Sequence, residues 1–245
     1  MSLFGVPAFR ESLQANDVVL IFGIKVGPDG PCMMMLDELT YSALTDVILA
    51  CLQAFAAGLM MRPDIEKKSA AWFWAITMTL IALTFLLGAI DHGFFEVAGH
   101  WLHEPLKIAT RACAAVTSFF ICVSAAVQFL GPRARKLVIG ISGLVNAAVI
   151  VAVFVSDNFF IVMGSYSAAM ILLLVLSIIG LRKATGSVAM ISGVIITFVA
   201  SALPIAGFEL FDGFGIYGTY HVVLMPAVIC FYLGGMKLNR QVAVS

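Results

Sequence analysis

The sequence predicts an all-α, polytopic membrane protein with seven transmembrane helices. Of its 245 residues, 62% are hydrophobic and only 11% are charged, whereas about 25% of the residues in soluble globular proteins are charged. The apolar residues also occur in long runs, each near the roughly 20 residues that a helix needs to cross a bilayer. Because backbone polar groups in lipid must be satisfied within the segment, we predict helices and not the strands of a barrel.

Seven apolar segments follow one another along the chain, joined by short connections. We place them at 39–61, 69–91, 106–130, 136–156, 158–181, 186–208 and 215–236. The chain then divides into an N-terminal extracytoplasmic extension, 1–36, and one transmembrane domain, 37–245. The apolar stretch 17–25 of the extension is too short to span a bilayer, and its Val, Ile and Phe content predicts a short strand or a segment lying on the membrane surface.

Basic residues occur in every second connection between the predicted helices. They are Arg62, Lys67 and Lys68, then Arg133, Arg135 and Lys136, then Arg182 and Lys183, and after helix 7 Lys237 and Arg240. The other connections carry mainly Asp and Glu. The positive-inside rule therefore predicts that the N-terminus lies outside and the C-terminus inside.

Composition also excludes several classes of function. The formal net charge is zero and there is no basic run, so we expect no nucleic-acid partner. The five cysteines are odd in number and none forms a C-x-x-C pair, so we expect no disulfide framework. The expected partner of the chain is the lipid bilayer itself.

The most polar stretch inside the apolar region is 88–105, which contains three of the four histidines and three carboxylates. Their spacing places four side chains on one face of a helix, namely His92, Glu96, His100 and His103. We predict a short interfacial helix between helices 2 and 3, with Trp101 at the headgroups. His100 and His103 are then expected to face water and headgroups.

The predicted topology brings polar residues of four helices to the outer leaflet. Asp46 lies about 10 Å below the outer end of helix 1, at a rise of about 1.5 Å per residue. His92 ends helix 2, Arg111 begins helix 3 and His221 lies near the start of helix 7. Since polar groups at that depth normally face the bundle interior or water, we expect Asp46, His92, Arg111 and His221 to share one pocket.

Two interpretations of Asp46 remain open at this point. It can form a salt bridge with Arg111 that holds helices 1 and 3 together, or it can act as a ligand, proton relay or catalytic base. The same choice applies to His92 and His221, because an imidazole suits a metal ligand, an acid–base group or a structural hydrogen bond equally well.

The pattern Gly88-x-x-Asp91-His92, together with His221 on helix 7, resembles the seven-helix intramembrane hydrolase superfamily of alkaline ceramidases and adiponectin-receptor-like proteins. It is also similar to uncharacterised bacterial seven-helix proteins of that kind. The resemblance implies a zinc ion held by histidines of helices 2 and 7, which are His92 and His221 here. We therefore expect an integral membrane protein of the bacterial inner (plasma) membrane.

The chain also departs from the pattern of that superfamily. The superfamily carries two histidines four residues apart on helix 7, whereas Tyr217 and Met225 stand four residues either side of His221. It also carries a serine four residues before the helix 2 histidine, where this chain has Gly88.

If the chain is an enzyme, His92, His221 and Asp46 can bind zinc through two nitrogens and one oxygen, which leaves a fourth position open for water. Zinc lowers the pKa of its water to about 7 and so generates a nucleophile that can hydrolyse a lipid amide or ester. Asp46 and Asp91 are the candidate catalytic residues, and Asp91 is expected to orient His92.

Other classes of function fit the same residues. The chain can be a non-enzymatic binding or transport protein for a small amphiphile, or an accessory subunit of a membrane complex that contacts its partner through 1–36. Haem ligation by His92 and His221 is a further alternative. A metal assay, an absorption spectrum and purification in mild detergent distinguish these classes.

Overall fold

The computed structural model describes residues 38–96, 100–183 and 185–240. Within them lie seven α-helices: α1 (Glu38–Met60), α2 (Ala70–Phe94), α3 (His103–Phe129), α4 (Pro132–Val155), α5 (Phe159–Leu181), α6 (Val188–Ile205) and α7 (Ile216–Gly235). All seven are long and apolar enough to cross a membrane. For these residues the predicted all-α architecture is confirmed, with seven helices long enough to span a membrane. The extension 1–36 and its stretch 17–25 lie outside the described residues.

Local capping explains where several helices begin. The Ser69 side chain accepts a hydrogen bond from the Trp72 amide at the start of α2, and Asn158 accepts one from the Phe160 amide at the start of α5. Pro132 occupies the first turn of α4, where its missing N–H costs nothing. The helix therefore begins four residues earlier than the predicted 136 and includes the basic residues that follow the proline.

Six of the helices form a closed ring. Helix α1 packs against α2 and α7, α2 against α3, α3 against α5, α5 against α6, and α6 against α7. Helix α4 lies outside this ring and packs only against α3 and α5. The large side chains at the centre of the ring are fully buried and include Leu49, Trp74, Ile121, Leu173 and Val194.

Backbone hydrogen bonds join the basic connections at one end of the bundle, here called the basic end. The Glu66 amide donates to the Arg240 carbonyl, and the Gln128 side chain contacts both the Asn239 amide and the Thr185 carbonyl. The α1–α2 and α5–α6 connections, the end of α3 and the chain after α7 therefore meet there. The opposite end, which carries 95–96, 100–102, 156–158 and 206–215, is called the acidic end.

The short interfacial helix predicted between helices 2 and 3 is not confirmed. Helix α2 continues to Phe94, and the amides of Phe95 and Glu96 both donate to the Asp91 carbonyl, which closes the helix with a turn. The described residues between this turn and His103, which begins α3, contain no separate helix. Residues 97–99 lie outside the described chain.

Candidate functional site

Three of the predicted site residues lie together near the acidic end of the bundle. The Asp46 carboxylate contacts two imidazoles: its Oδ1 is 3.1 Å from His221 Nε2, and its Oδ2 is 3.9 Å from His92 Nε2. The side chains of Asp46 and His221 are only 3% and 7% exposed, whereas that of His92 is 28% exposed. The site is therefore buried on its α1–α7 side and reaches the surface at His92.

Gly88 explains how a carboxylate from α1 can lie against α2. A Cβ atom at Gly88 would lie 3.0 Å from Asp46 Oδ2, closer than side chains normally approach. The resembled superfamily has a serine at this position. Here the space that a serine side chain would need is filled by the carboxylate of Asp46.

The hydroxyl of Thr45 contacts the imidazole of His221. The Thr45 hydroxyl has one proton and lies 2.8 Å from the Tyr41 carbonyl and 3.0 Å from the Ser42 carbonyl, which accept it. The same oxygen lies 2.9 Å from His221 Nδ1, and it accepts the Nδ1 N–H when its own proton goes to one of the two carbonyls. We assign the proton of the neutral imidazole to Nδ1, so that the lone pair on Nε2 faces Asp46.

With the proton on Nδ1, only certain groups can lie between Asp46 and His221. A lone pair on His221 Nε2 and a carboxylate oxygen of Asp46 are both acceptors, and at 3.1 Å they repel unless a positive group lies between them. Either a proton or a metal cation meets that requirement. The edge of the Phe85 ring packs against His221 and keeps water away from this side of the pair.

His92 is oriented in the same way as His221. Its Nδ1 pairs with Glu96 Oε2 one helical turn later, and its Nε2 faces Asp46. Both imidazoles are therefore held through Nδ1 and direct Nε2 at separate oxygens of one carboxylate. Metal-binding histidines commonly show this arrangement, in which the second ring nitrogen is fixed by a carboxylate or another polar group.

Two imidazole nitrogens and a carboxylate oxygen are donor types that zinc accepts. Ligands at about 2.0–2.2 Å in a tetrahedron lie roughly 3.3 Å apart, and the two Asp46–imidazole distances of 3.1 and 3.9 Å fall on either side of that value. In the described part of the chain, no group of three or more His, Cys, Asp and Glu side chains is arranged so that it could hold a metal ion.

The same geometry does not fit a haem. A haem with two histidine ligands lies between their imidazoles. The Asp46 carboxylate fills that space, with one oxygen near each Nε2 atom. His92 and His221 are therefore not placed as the two axial ligands of one haem.

The salt bridge with Arg111, one of the two interpretations left open for Asp46, is contradicted by the structure. Arg111 Nη1 lies 2.5 Å from Asp157 Oδ1, in the connection between α4 and α5, and its guanidinium lies over the Phe159 ring. The physical reason is the packing of the ring, in which α3 contacts α2, α4 and α5 but not α1. Arg111 is therefore directed away from Asp46 and does not share its pocket.

The predicted role of Asp91 as the partner of His92 is also wrong. Consecutive helical residues project about 100° apart, so Asp91 faces a different neighbour, and its Oδ1 lies 2.9 Å from His103 Nδ1. Glu96 holds His92 instead. Glu96 follows the end of α2, and its spacing of four residues from His92 had predicted that the two side chains share one face. His103, expected at the headgroups, belongs to a second carboxylate–imidazole pair.

Acid is expected to remove the contribution of Asp157 to stability. Hydrogen bonds from Arg111 and then Lys107 lower the pKa of Asp157 below its ordinary value of 3.8. A carboxyl group whose pKa is lowered by folding stabilises the fold at pH values above its ordinary pKa. This stabilisation is lost as the pH falls through the lowered pKa. Thermal unfolding of the wild type and Asp157→Asn should differ at neutral pH and converge well below pH 3.8. A difference that survives in strong acid would contradict the ion-pair assignment.

One protein family matches most of the chain. Its model, described as a family of unknown function (DUF6962), matches residues 41–240, a range that includes Asp46, His92 and His221. No curated protein and no solved structure matches the chain. The chemistry of the site therefore has to be inferred from its own side chains.

Proposed function

The chain belongs to this family of unknown function, and we propose that Asp46, His92 and His221 form an intramembrane zinc site that hydrolyses a lipid amide or ester. One observation carries the proposal. Two imidazoles, each held through Nδ1, direct Nε2 at separate oxygens of one buried carboxylate. A buried carboxylate facing two nitrogen lone pairs favours a shared cation.

Each residue of the site has a defined task in this proposal. Zinc, when bound, supplies a water of pKa about 7 and polarises the substrate carbonyl. Glu96 and Thr45 keep His92 and His221 in position. Asp46 takes the proton of the attacking water as the new C–O bond forms.

Proton return completes the reaction. As the C–N or C–O bond of the substrate breaks, the leaving nitrogen or oxygen needs a proton. Asp46, which holds the proton taken from the water, returns it to that atom. One water is consumed, and a carboxylic acid and an amine or alcohol are released.

Metal content tests the proposal directly. The wild type and His92→Ala, His221→Ala and His100→Ala are purified in detergent without a histidine tag, and zinc per chain is measured. His92→Ala and His221→Ala should lose the ion, since two remaining ligands bind zinc poorly. His100→Ala is the matched control, because His100 stacks on Phe95 and Trp101 outside the site and should retain it.

The same preparations are assayed with a fluorescent long-chain amide and the matched ester. Hydrolysis should follow zinc content and disappear in Asp46→Asn, while thermal unfolding confirms that each variant is folded. Absence of zinc from the wild type, or equal retention in all variants, would refute the hydrolase. Zinc lost only from His100→Ala and a His103→Ala variant would move the metal to the stretch between α2 and α3.

A non-enzymatic role is the second candidate, and the tautomer of His221 favours it specifically. A proton satisfies Asp46 and His221 as well as a metal does, and a buried shared proton is typical of transporters. The chain would then bind or transport a small amphiphile. Wild-type protein that lacks zinc but binds such a ligand with a pH-dependent affinity would favour this role. An accessory role through 1–36 stays a prediction, since those residues lie outside the described chain.

We further propose that the acidic end faces outward, with the N-terminus outside and the C-terminus inside a bacterial inner membrane. The basic connections support this orientation through the positive-inside rule. In a chain without its native cysteines, Asp212→Cys should react with an impermeant thiol reagent in intact cells. Arg133→Cys, also exposed, should react only after permeabilisation. The reverse pattern would overturn the proposed sides.

A further inference from the structure

Positive charge at the basic end of the bundle is concentrated where no acidic residue balances it. Among the residues that the structure describes at this end, only Asp64 and Glu66 are acidic, and both lie in the connection between α1 and α2. The segments 105–156 and 158–208 contain no Asp or Glu. Five basic residues nevertheless lie at the start of α4 and the end of α5, namely Arg133, Arg135, Lys136, Arg182 and Lys183.

The last turn of α3 holds the start of α4 and the end of α5 side by side. Arg135 Nη2 donates to the Val127 and Leu130 carbonyls, at 3.4 and 3.3 Å, and so joins α4 to α3. The Phe129 ring packs so closely against α5 that a Cβ atom at Gly180 would lie 2.6 Å from it. The two basic segments therefore flank one turn of one helix, which is about 10–12 Å across with its side chains.

Four of these basic side chains are unpaired, and we call them the cation cluster. Arg133 and Lys136 are exposed, and their spacing of three residues places them on one face of α4. Arg182 and Lys183, directly after α5, are exposed as well. The side chains of these four form no ion pair or hydrogen bond with any residue of the described chain. The cluster therefore presents four positive charges that the protein itself does not neutralise.

An anionic phospholipid complements such a cluster. Each Lys or Arg close to a membrane surface raises the affinity for anionic lipid about five-fold. Guanidinium and ammonium groups both form charge-assisted hydrogen bonds with phosphate oxygens. A zwitterionic phospholipid brings an ammonium group of its own, which repels the cluster and offsets part of this gain.

Apolar surface continues from the cation cluster toward the middle of the membrane. On α4, Leu137, Ile141 and Leu144 are each more than half exposed, and on α5, Ile178 and Ile179 are nearly half exposed. Helix α4 lies outside the six-helix ring and packs only against α3 and α5. Its free surface therefore meets acyl chains directly below the charged groups, which suits a lipid and not a free phosphate ion.

We propose that the cation cluster binds one anionic phospholipid, whose headgroup phosphate lies between the start of α4 and the end of α5. The lipid contacts both segments, and its acyl chains lie along the apolar surfaces of the two helices. This site is at the opposite end of the bundle from Asp46 and its histidines, so it does not depend on the proposed zinc.

Photocrosslinking of the full chain in phosphatidylcholine nanodiscs tests the site. The probes are phosphatidylglycerol and phosphatidylcholine with identical diazirine-bearing acyl chains. Phosphatidylglycerol should label α4 and α5 peptides at least about five-fold more, the effect of a single cation, and unlabelled phosphatidylglycerol should compete. Inorganic phosphate should not compete. Equal labelling by the two lipids, or competition by inorganic phosphate, would overturn the proposal.

Two double variants test whether one lipid contacts both segments. Arg133→Gln/Lys136→Gln and Arg182→Gln/Lys183→Gln should each lower the preference for phosphatidylglycerol at least about five-fold. All four side chains are exposed, so both variants should fold, which thermal unfolding checks. A preference that is lost in only one of the two variants would overturn the shared site.

Lys67→Gln/Lys68→Gln is the matched control. It removes the same charge from the same end of the bundle, at exposed positions in the connection that also contains Asp64 and Glu66. This variant should keep the preference for phosphatidylglycerol. An equal loss in the control would mean that the total charge of the basic end attracts the lipid, and would overturn a specific site.

Discussion

Replacing either Asp46 or His221 by leucine is expected to destabilise the bundle by about 3–5 kcal/mol, because each change leaves the other group buried without its partner. The double variant Asp46→Leu/His221→Leu should be much more stable than either single variant, since two apolar side chains of similar size replace the pair. The free energy of unfolding, measured by titration with denaturing detergent, gives the coupling between the two positions.

Arg111 provides the matched control for this cycle. Arg111 pairs with Asp157 and shares no contact with Asp46, so Asp46→Leu and Arg111→Leu should add within about 0.5 kcal/mol. Additive losses for Asp46 and His221, or strong coupling between Asp46 and Arg111, would contradict the site as described.

Gly215→Ala is expected to have the second large effect. Gly215 precedes α7 with φ 81° and ψ 155°, a backbone conformation essentially restricted to glycine. A Cβ atom there would also overlap the Glu38 side chain at the start of α1. Strain of this kind costs about 1–3 kcal/mol, and the overlap pushes apart the two helices that carry Asp46 and His221.

Gly213→Ala separates these two causes. Gly213 also has a positive φ of 80°, but a Cβ atom there meets nothing within 4 Å. It should show the backbone strain without the displacement of α1 from α7. Gly215→Ala should therefore lower both the thermal stability and the zinc content, whereas Gly213→Ala should lower mainly the stability. Equal losses in both variants would mean that the contact with Glu38 is unimportant.

The number and approximate bounds of the helices could be predicted because apolar length alone determines a span. The grouping of Asp46, His92 and His221 could be predicted as well, since helices of alternating direction bring their residues to known ends. The pairs of helices that are neighbours could not be predicted. Arg111 was placed beside Asp46 because nothing in the sequence indicates that α3 contacts α5 and not α1.

The finer geometry of the site depends on single atoms. Gly88 looks in the sequence like the loss of a serine, yet in the structure it makes room for a carboxylate. Thr45 is one of several hydroxyls in α1, and only the structure shows that it contacts Nδ1 of His221. Such contacts depend on the direction that side chains take between neighbouring helices. Sequence periodicity within one helix does not indicate that direction.

The closure of the ring by α1 and α7 has a consequence for biosynthesis. Thr45 and His221 are separated by 176 residues, so at about 5–20 residues per second a ribosome needs roughly 9–35 s to reach the histidine after Asp46 has been made. During that interval His92 is the nearer partner for Asp46. The nascent chain therefore carries an incomplete site until its last helix enters the membrane, and a chain truncated before α7 retains every other span but cannot assemble the pair.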